Sequence, residues 1–309
     1  MSDPLHNLDR LCLYLRLSSR INVNCVTLSH RWAATQVLKL ELSNIDCFKK
    51  SLPLESLSRT FLETFEITRA LNCQYIWIDC LCIIQDSVDD WQAESTRMGT
   101  IYQNSICNIA APGSSDFRGG LFQQRDPDWV TKSKVHIQYR GHDRISFAYL
   151  AEAWGKYVSR SSLDRRGWVV QERLLSSRTL HFAPGLFWEC RTVQASETHP
   201  DGLPAGWDYY SESNSEDISI TLTDWRFLYG SNFWKTLVET YCRCSITKPD
   251  DRLIDIAGIA KSYQSFMDND YLGGMWKKDL PYNLVWYLDL VEGGSRPPKG
   301  YRCKYLLHV

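Results

Sequence analysis

The sequence predicts an α/β protein in which a parallel β-sheet is flanked by helices. Short apolar or β-branched runs, typical of buried strands, begin near Cys25, Tyr75 and Ile106. Two segments with apolar residues at helical spacing separate these runs. Because strands that alternate with helices are typical of doubly wound parallel sheets, this order favours that fold class.

The first predicted strand covers residues 25–28 and ends at the polar stretch Ser29-His30-Arg31-Trp32. A helix is predicted from Leu54, because apolar residues recur at spacings of three and four up to Leu71. Pro53 precedes this segment, at a position where the first turn of a helix tolerates proline.

The second predicted strand covers residues 75–84, which are almost continuously apolar and interrupted by Asp79. A strand at the centre of a parallel sheet, covered on both faces, has this composition. Ser87, with Asp90 three residues later, approximates a capping box and predicts the start of a second helix. The inward face of that helix is predicted to carry Trp91, Glu94, Ser95, Met98, Ile101 and Tyr102.

The third predicted strand covers residues 106–111, and a different pattern begins beyond Leu175. The later predicted elements are a helix over residues 165–175, a hairpin of Arg178–Phe182 and Leu186–Cys190, and helices over residues 225–241 and 252–266. The sequence therefore predicts an α/β core over residues 20–175. A hairpin and a helical extension, packed on that core, are predicted over residues 176–309.

Composition and charge favour a folded globular protein and argue against some functional classes. The chain has 309 residues, of which 44% are hydrophobic and 23% charged, as in folded globular proteins. Lys and Arg number 35 against 36 Asp and Glu, and this balance argues against general nucleic-acid binding. The first ten residues lack the apolar run of a secretion signal, and the sequence contains no membrane-spanning apolar stretch. The sequence therefore predicts a cytoplasmic protein.

The 11 cysteines fit a reducing compartment. They occupy apolar positions or form the CxC pairs Cys80 with Cys82 and Cys242 with Cys244. No CxxC motif and no His/Cys cluster at zinc spacing is present in the sequence. The cysteine pattern therefore predicts reduced, mostly buried thiols and no metal site.

Glu94 is the first candidate functional residue. It shares a predicted helix face with Trp91 and Met98, so its carboxylate projects toward the apolar side. A buried carboxylate costs several kcal/mol unless it is paired or used by a site. Two interpretations stay open, a structural ion pair with Arg97 or Arg31, and a catalytic role.

A second group of candidates follows the first strand. In open α/β sheets, ligands bind at the carboxyl ends of strands, where Ser29, His30, Arg31 and Trp32 lie and which Asp79 also reaches. An arginine for phosphate and indole rings for stacking suit a nucleotide. The alternative is that Ser29 and His30 only satisfy backbone groups of the loop.

The helix predicted over residues 165–175 carries Arg166, Glu172 and Arg173 near Trp168. These residues are suited either to clamp a phosphate or to lock the hairpin to the sheet. Glu172 is interpreted as a structural residue, and the role of Arg166 stays open. A cysteine hydrolase built from Cys80 and His30 is disfavoured, because a thiolate is costly in a buried apolar run. The GxSxG, GxGxxG and Walker A motifs are absent from the sequence.

Three blocks resemble the heterokaryon-incompatibility (HET) domain of filamentous fungi. They are residues 26–32, residues 75–86 with the positions from Asp90 to Tyr102, and residues 166–175. Residues 248–260 and 271–276 also resemble the segment that follows in this family. The resemblance implies a protein of non-self recognition, programmed cell death and fungal innate immunity. It also implies self-association, or a partner protein, on activation.

The HET domain is in turn similar to the Toll/interleukin-1 receptor (TIR) domain, a flavodoxin-like fold whose catalytic members hydrolyse NAD. In those members a glutamate begins the helix after the third sheet strand, four residues behind a tryptophan. The resemblance is taken to imply Glu94 as the catalytic residue, with Trp91 three residues ahead. NAD is then a substrate, and no cofactor is implied.

The same resemblance implies a substrate pocket around Glu94. Ser29, His30 and Arg31 would shape its phosphate or ribose part, and Trp32 or Trp91 would form a stacking wall. Asp79 and Arg166 complete the substrate-binding set. The competing interpretation is a non-enzymatic, oligomerising signalling scaffold in which Glu94 is a structural carboxylate.

Overall fold

The structure, a computed structural model, describes residues 24–32, 38–114, 119–125, 133–148, 153–204, 231–248, 251–265 and 268–280. Its centre is a six-stranded, mostly parallel sheet with the strand order β2-β1-β3-β6-β7-β8. These strands are β1 (Cys25–Ser29), β2 (Tyr75–Trp77), β3 (Cys107–Ala110), β6 (Arg178–Phe182), β7 (Leu186–Cys190) and β8 (Gln194–Ser196). Strands β2, β1, β3 and β6 are parallel, whereas β7 and β8 continue the sheet antiparallel.

Two small antiparallel sheets lie outside this one: β4 (Ser133–Tyr139) with β5 (His142–Ala148), and β9 (Tyr271–Leu272) with β10 (Met275–Trp276). The helices are α1 (Ile45–Phe48), α2 (Arg59–Ala70), α3 (Asp79–Cys82), α4 (Val88–Asn104), α5 (Gly167–Leu175), α6 (Ser231–Cys242) and α7 (Arg252–Gln264). Short turns of 3-10 or π-helix occur at Leu54–Ser56, Gly155–Ser159 and Lys277–Asp279. Among the described helices, none is both long and apolar enough to cross a membrane.

The sheet separates two apolar clusters. Val26 and Leu28 of β1 belong to the first, together with Phe61 and Phe65 of α2. The second is built from α4, α5, α6 and α7, with members such as Met98, Leu174, Phe233, Ile256 and Trp276. Because successive side chains of a strand point to opposite faces, Thr27 and Ser29 point away from the first cluster. The buried polar ends of β1 therefore lie on the side of α4 and α5.

Several sequence-based predictions are confirmed. Strands β1 and β3 and the hairpin of β6 and β7 occur where they were expected. The predicted start of α4 is confirmed, since the Ser87 hydroxyl accepts the Asp90 N–H at 3.2 Å; the Asp90 carboxylate accepts from the Ile84 N–H at 2.7 Å, so the reciprocal bond of a full capping box is replaced. Helices α5 and α7 also form within the predicted segments, and α6 ends one residue beyond its predicted segment; residues 225–230 and 266 lie outside the described ranges.

The prediction of a central strand over residues 75–84 is wrong in length and in place. Strand β2 ends at Trp77 and lies at the edge of the sheet. The chain then forms α3, where the N–H groups of Leu81 and Cys82 donate to Ile78 O at 3.0 and 2.8 Å. A buried helical turn and a buried strand have the same apolar composition, so hydrophobicity alone did not distinguish them.

Helix α2 begins five residues later than predicted. Leu54–Ser56 forms a 3-10 turn instead of the first helical turn. The Ser58 hydroxyl accepts the Phe61 N–H at 3.2 Å and so caps α2, which starts at Arg59. Serine is a preferred cap because its oxygen satisfies an otherwise unpaired donor of the first turn.

The predicted boundary near residue 175 falls inside the main sheet. Strand β6 follows this boundary and pairs parallel with β3, which precedes it. Helix α7 packs on α4 and α5, which also precede the boundary. The two-part division of the chain stays a prediction, and the sheet itself is shared by both parts.

Candidate functional site

The carboxyl end of β1, together with the start of α5, forms a buried polar cluster. Ser29, the last residue of β1, accepts a hydrogen bond from Asn108 Nδ2 at 3.0 Å. The Tyr102 hydroxyl of α4 donates to Leu28 O at 3.1 Å. Arg166 precedes α5 and donates from Nη1 to His30 O at 2.6 Å. The sheet, α4 and α5 therefore meet around the loop that follows β1.

Glu172 is the carboxyl group in this cluster. It is buried on α5, and its Oε2 atom has no hydrogen-bond partner among the described residues. Burial is the main reason that the pKa of Glu172 is raised to about 7; the charge of Asp79 acts in the same direction, whereas Ser29, Arg166 and Tyr102 favour the ionised form. Near neutral pH Glu172 is therefore poised between its acid and its carboxylate, with a free acceptor.

His30 is a buried, neutral imidazole beside this group. Burial is the main reason that its pKa lies below the usual value; Arg166 lowers the pKa further, and Asp79 opposes the shift. Its Nδ1 atom lies 3.8 Å from Asp79 Oδ1, and its ring contacts Phe61 edge-on with centroids 5.1 Å apart. His30 is therefore held by packing, and Nε2 has no hydrogen-bond partner in the described part of the chain.

Asp79 holds the indole ring of Trp32, two residues after His30, through a hydrogen bond. Trp32 Nε1 donates to Asp79 Oδ2 at 2.7 Å, and the Lys39 ammonium lies 5.2 Å from the Trp32 ring centroid. Arg31 lies half-buried between His30 and Trp32. The structure thus brings together five of the predicted site residues: Ser29, His30, Trp32, Asp79 and Arg166.

Glu94 lies on α4 and has the ion pair that the structural interpretation expected. Arg97 Nη1 donates to Glu94 Oε1 at 2.8 Å, with 20% of the Glu94 side chain and 69% of the Arg97 side chain exposed. Trp91 contacts Trp168 of α5 edge-on, with centroids 6.3 Å apart, and Lys248 lies 5.8 Å from the Trp91 ring. Glu94 is therefore paired at a partly exposed position.

The placement of Glu94 relative to the strands needs a correction. Helix α4 follows β2, the second strand of the main sheet, whereas the glutamate of the TIR-like pattern follows the third. Helix α5 follows β3 and precedes the next parallel strand, β6. It carries Trp168 and Glu172, which are four residues apart.

Arg173, the next residue on α5, faces a different set of partners. Its guanidinium binds Glu189 of β7 through two contacts of 2.8 and 3.1 Å, and Asp164 at 2.9 Å. His181 Nε2 lies 3.2 Å from Glu189 Oε2. Burial alone would raise the pKa of Glu189, but Arg173 and His181 together hold it well below its usual value. Arg173 thus locks the hairpin to the core, the role that was assigned to Glu172.

The geometry offers a specific set of chemical groups in one place. Glu172 supplies an acceptor, Arg166 a fixed positive charge, His30 a neutral imidazole and Trp32 an aromatic surface. Such a set is suited to a ligand with hydroxyl groups, anionic groups and an aromatic ring. It lies where ligands bind in open α/β sheets.

Comparison with known protein families gives a match for part of the chain. Residues 26–172 match the family model described as heterokaryon incompatibility protein (HET). The match begins in β1 and ends at Glu172, so it spans the polar cluster and α5 up to the buried carboxyl group. No curated protein and no solved structure matches the chain.

Proposed function

On the premise of the HET match over residues 26–172, we propose that the chain acts in heterokaryon incompatibility and cell death by cleaving NAD. The observation that carries the proposal is Glu172, a buried carboxyl group with one unpartnered oxygen at the carboxyl end of the sheet. A group of this kind is costly to the fold unless a ligand uses it.

The topology supports a TIR-like, flavodoxin-like fold as the frame of this reaction. The parallel strands β2, β1, β3 and β6 have the spatial order 2-1-3-4, with which flavodoxin-like sheets begin. Ligands of such sheets bind at the switch point between the first and third strands. The loop of His30, Arg31 and Trp32 leaves β1 at that point.

The chemistry of NAD cleavage needs one carboxylate rather than two. Nicotinamide leaves as a neutral ring when its bond to the ribose C1′ breaks and the bond electrons pass to the ring nitrogen, so no general acid is required. A carboxylate can bind the ribose hydroxyls and stabilise the oxocarbenium-like transition state. Water then adds to C1′ and releases a proton, which gives ADP-ribose. We assign the carboxylate role to Glu172.

The surrounding residues support the remaining tasks of this reaction. Arg166 is held against His30 O and offers positive charge to a phosphate, as Arg31 does from the loop. Asp79 orients Trp32, whose ring is a candidate stacking surface, and Trp91 is the alternative wall. Ser29 lies against Glu172 and is suited to a ribose hydroxyl.

The test is nicotinamide release from NAD by the purified chain over a range of protein concentrations. Glu172→Gln is expected to lower the rate by about 100-fold or more, because it removes the charge that stabilises the transition state. Glu94→Gln is the matched control, since it changes the same residue type on α4 at the Arg97 ion pair. Loss of activity in Glu94→Gln alone would assign the carboxylate role to Glu94 instead.

A second candidate function is the oligomerising scaffold. Hairpin β4–β5 exposes four large apolar or aromatic side chains: Val135, Ile137, Tyr139 and Ile145. Exposed apolar groups of this kind favour association with another chain. No nicotinamide release at any concentration from folded protein that self-associates would support this candidate and contradict the NAD proposal. A rate of nicotinamide release that rises more steeply than the protein concentration would instead support both functions, with self-association activating NAD cleavage.

A further inference from the structure

The loop after β1 and the first turn of α3 bring three potential metal ligands together. They are His30, Asp79 and Cys80, and one ligand atom of each lies within 4.8 Å of the other two. His30 and Asp79 are 49 residues apart in sequence, so sequence spacing gave no sign of the group. Their convergence follows from the parallel pairing of β1 with β2, which lie just before them.

The hydrogen bonding of His30 is incomplete. Its Nε2 atom is buried without a partner among the described residues, and its Nδ1 atom is 3.8 Å from Asp79 Oδ1, too far for a hydrogen bond. A buried imidazole normally satisfies at least one of its nitrogens. An imidazole, a carboxylate and a thiol thus lie near one another, and the imidazole keeps one buried nitrogen without a described partner.

Cys80 adds the argument from charge. Its side chain is fully buried, and it directly follows Asp79 in the chain. A thiolate at this position would be a second buried anion beside Asp79, which is unfavourable unless a cation lies between the two. A divalent cation removes this cost, because its charge balances one thiolate and one carboxylate.

We propose that His30, Asp79 and Cys80 bind one thiophilic divalent cation of the zinc class at the carboxyl end of β1. The mixture of sulfur, nitrogen and oxygen ligands selects zinc or cobalt over magnesium and calcium, which prefer oxygen alone. This site shares His30 and Asp79 with the proposed nucleotide pocket, but metal binding requires neither Glu172 nor a nucleotide and is therefore tested separately from NAD cleavage.

The ligand spacing and the neighbouring contacts fit such an ion. Zinc ligands at roughly 2.0–2.3 Å from the metal lie about 3.3–3.7 Å from one another, so the side chains need to close by at most about 1.5 Å. Asp79 is already oriented, since it accepts from Trp32 Nε1 and from the Cys80 N–H, both at 2.7 Å. The fourth position is available to water, because 23% of the Asp79 side chain is exposed.

The experiment is a titration of metal-free protein with Co²⁺, followed by competition with Zn²⁺. The expected result is one strongly bound ion per chain, with a thiolate-to-cobalt charge-transfer band and visible bands of tetrahedral intensity that Zn²⁺ abolishes. Cys80→Ser is expected to remove the charge-transfer band and to weaken binding at least tenfold. Cys82→Ser, two residues away on the same turn, is the matched control and is expected to keep both.

Loss of metal binding can be distinguished from loss of folding. Circular dichroism of each variant shows whether it is folded, and His30→Gln replaces Cys80→Ser as the test variant if Cys80→Ser does not fold. Absence of a bound ion at one per chain in folded wild-type protein would overturn the proposal. A charge-transfer band that persists in folded Cys80→Ser would overturn it as well, because another cysteine would then be the ligand.

Discussion

The raised pKa of Glu172 makes stability depend on pH. A carboxyl group with a pKa of about 7 in the folded chain and an ordinary value of 4.5 binds more protons folded than unfolded between these values. Its contribution to stability is therefore full below about pH 4.5 and is lost as the pH rises toward 7. We predict that the free energy of unfolding falls between pH 5 and pH 8 by up to about 3 kcal/mol more in wild type than in Glu172→Gln.

Denaturant unfolding of both proteins at the two pH values measures this difference. Asp89→Asn, an exposed acid on α4, is the control and is expected to follow wild type. Equal pH dependence in wild type and Glu172→Gln would mean that Glu172 is ionised in the folded chain at both pH values. The catalytic proposal, which depends on a Glu172 carboxyl group with a raised pKa, would then fail as well.

Asp255 of α7 is a second buried acid near the same helix. Its Oδ2 atom accepts from the Tyr241 hydroxyl at 3.0 Å, and its Oδ1 atom has no partner within the described ranges. Burial raises the pKa of Asp255 well above 3.8, and Glu172 is a further cause. Because Asn keeps the acceptor and removes the charge, Asp255→Asn is predicted to stabilise the protein by about 1–3 kcal/mol at pH 8.

The same substitution is expected to have a smaller effect at pH 5, where Asp255 retains more of its proton. Thermal or denaturant unfolding at both pH values tests this, with Glu239→Gln on exposed α6 surface as a charge-matched control. Destabilisation by Asp255→Asn at pH 8 would show that the charged carboxylate has a favourable partner, and would contradict the prediction.

Only some of these residues were accessible to sequence-based prediction. Ser29, His30 and Asp79 were expected together because strand ends of a parallel sheet meet at one edge, a rule that needs no tertiary detail. Glu172 and Asp255 are 83 residues apart in sequence, and their proximity depends on the packing of α5 against α7. Helix α4 carries Trp91 and Glu94, three residues apart, and α5 carries Trp168 and Glu172, four residues apart; the two pairs also differ in the strand that precedes their helix.

Helices α4, α5 and α7 cross at two glycines. A Cβ atom built on Gly99 would lie 3.1 Å from Gly258 Cα and 3.0 Å from Leu175 Cδ1, so the helices are in close contact here. The Gly258 N–H also donates to Gln171 Oε1 at 3.0 Å. Gly258→Ala is predicted to destabilise by about 2 kcal/mol, because overpacking outweighs the gain of about 1 kcal/mol in helix propensity.

The melting temperature of Gly258→Ala measures this effect. Ala257→Ser, an exposed position next to it on α7, is the control and is expected to change stability by less than about 0.5 kcal/mol. A variant Gly258→Ala that melts above wild type would show that α7 moves away from α4 at little cost. Since Gln171 neighbours Glu172, such a shift would also be visible as a changed pH dependence of stability.

At the scale of elements, the sequence predicted helix and strand boundaries that depend on neighbouring residues, but not those that depend on contacts between distant segments. The cap of α4 depends on residues three apart, so Ser87 and Asp90 were sufficient to place it. The end of β2 depends instead on the segment near Leu40, whose N–H donates to Cys80 O at 2.8 Å and whose carbonyl accepts from the Gln85 N–H at 2.8 Å. These contacts satisfy the backbone of α3, and residue composition carries no information about them.

At the scale of the whole molecule, the part that matches HET and the part that follows it pack against each other through a buried ion pair and a common apolar cluster. The match ends at Glu172, whereas its neighbour Arg173 is buried and paired with Glu189 of β7. The second apolar cluster takes members from α4 and α5 and from α6 and α7 alike. Residues 24–175, which include Arg173, therefore lack partners for both a buried charge and a large apolar face.

We predict that a fragment of residues 24–175 does not fold cooperatively, whereas a chain of residues 24–280 does. Removal of Glu189 alone leaves the Arg173 guanidinium with Asp164 as its described carboxylate partner, and breaking a buried pair costs about 3–5 kcal/mol. Loss of β6, α6 and α7 exposes the apolar faces of α4 and α5 in addition, and the total exceeds the roughly 5–15 kcal/mol by which domains are stable. Denaturant unfolding followed by circular dichroism and tryptophan fluorescence distinguishes the two chains. Coincident, cooperative transitions in the shorter fragment would make it an independent domain, as the boundary at residue 175 predicts, and the later strands and helices would then be an addition to a core that is already complete.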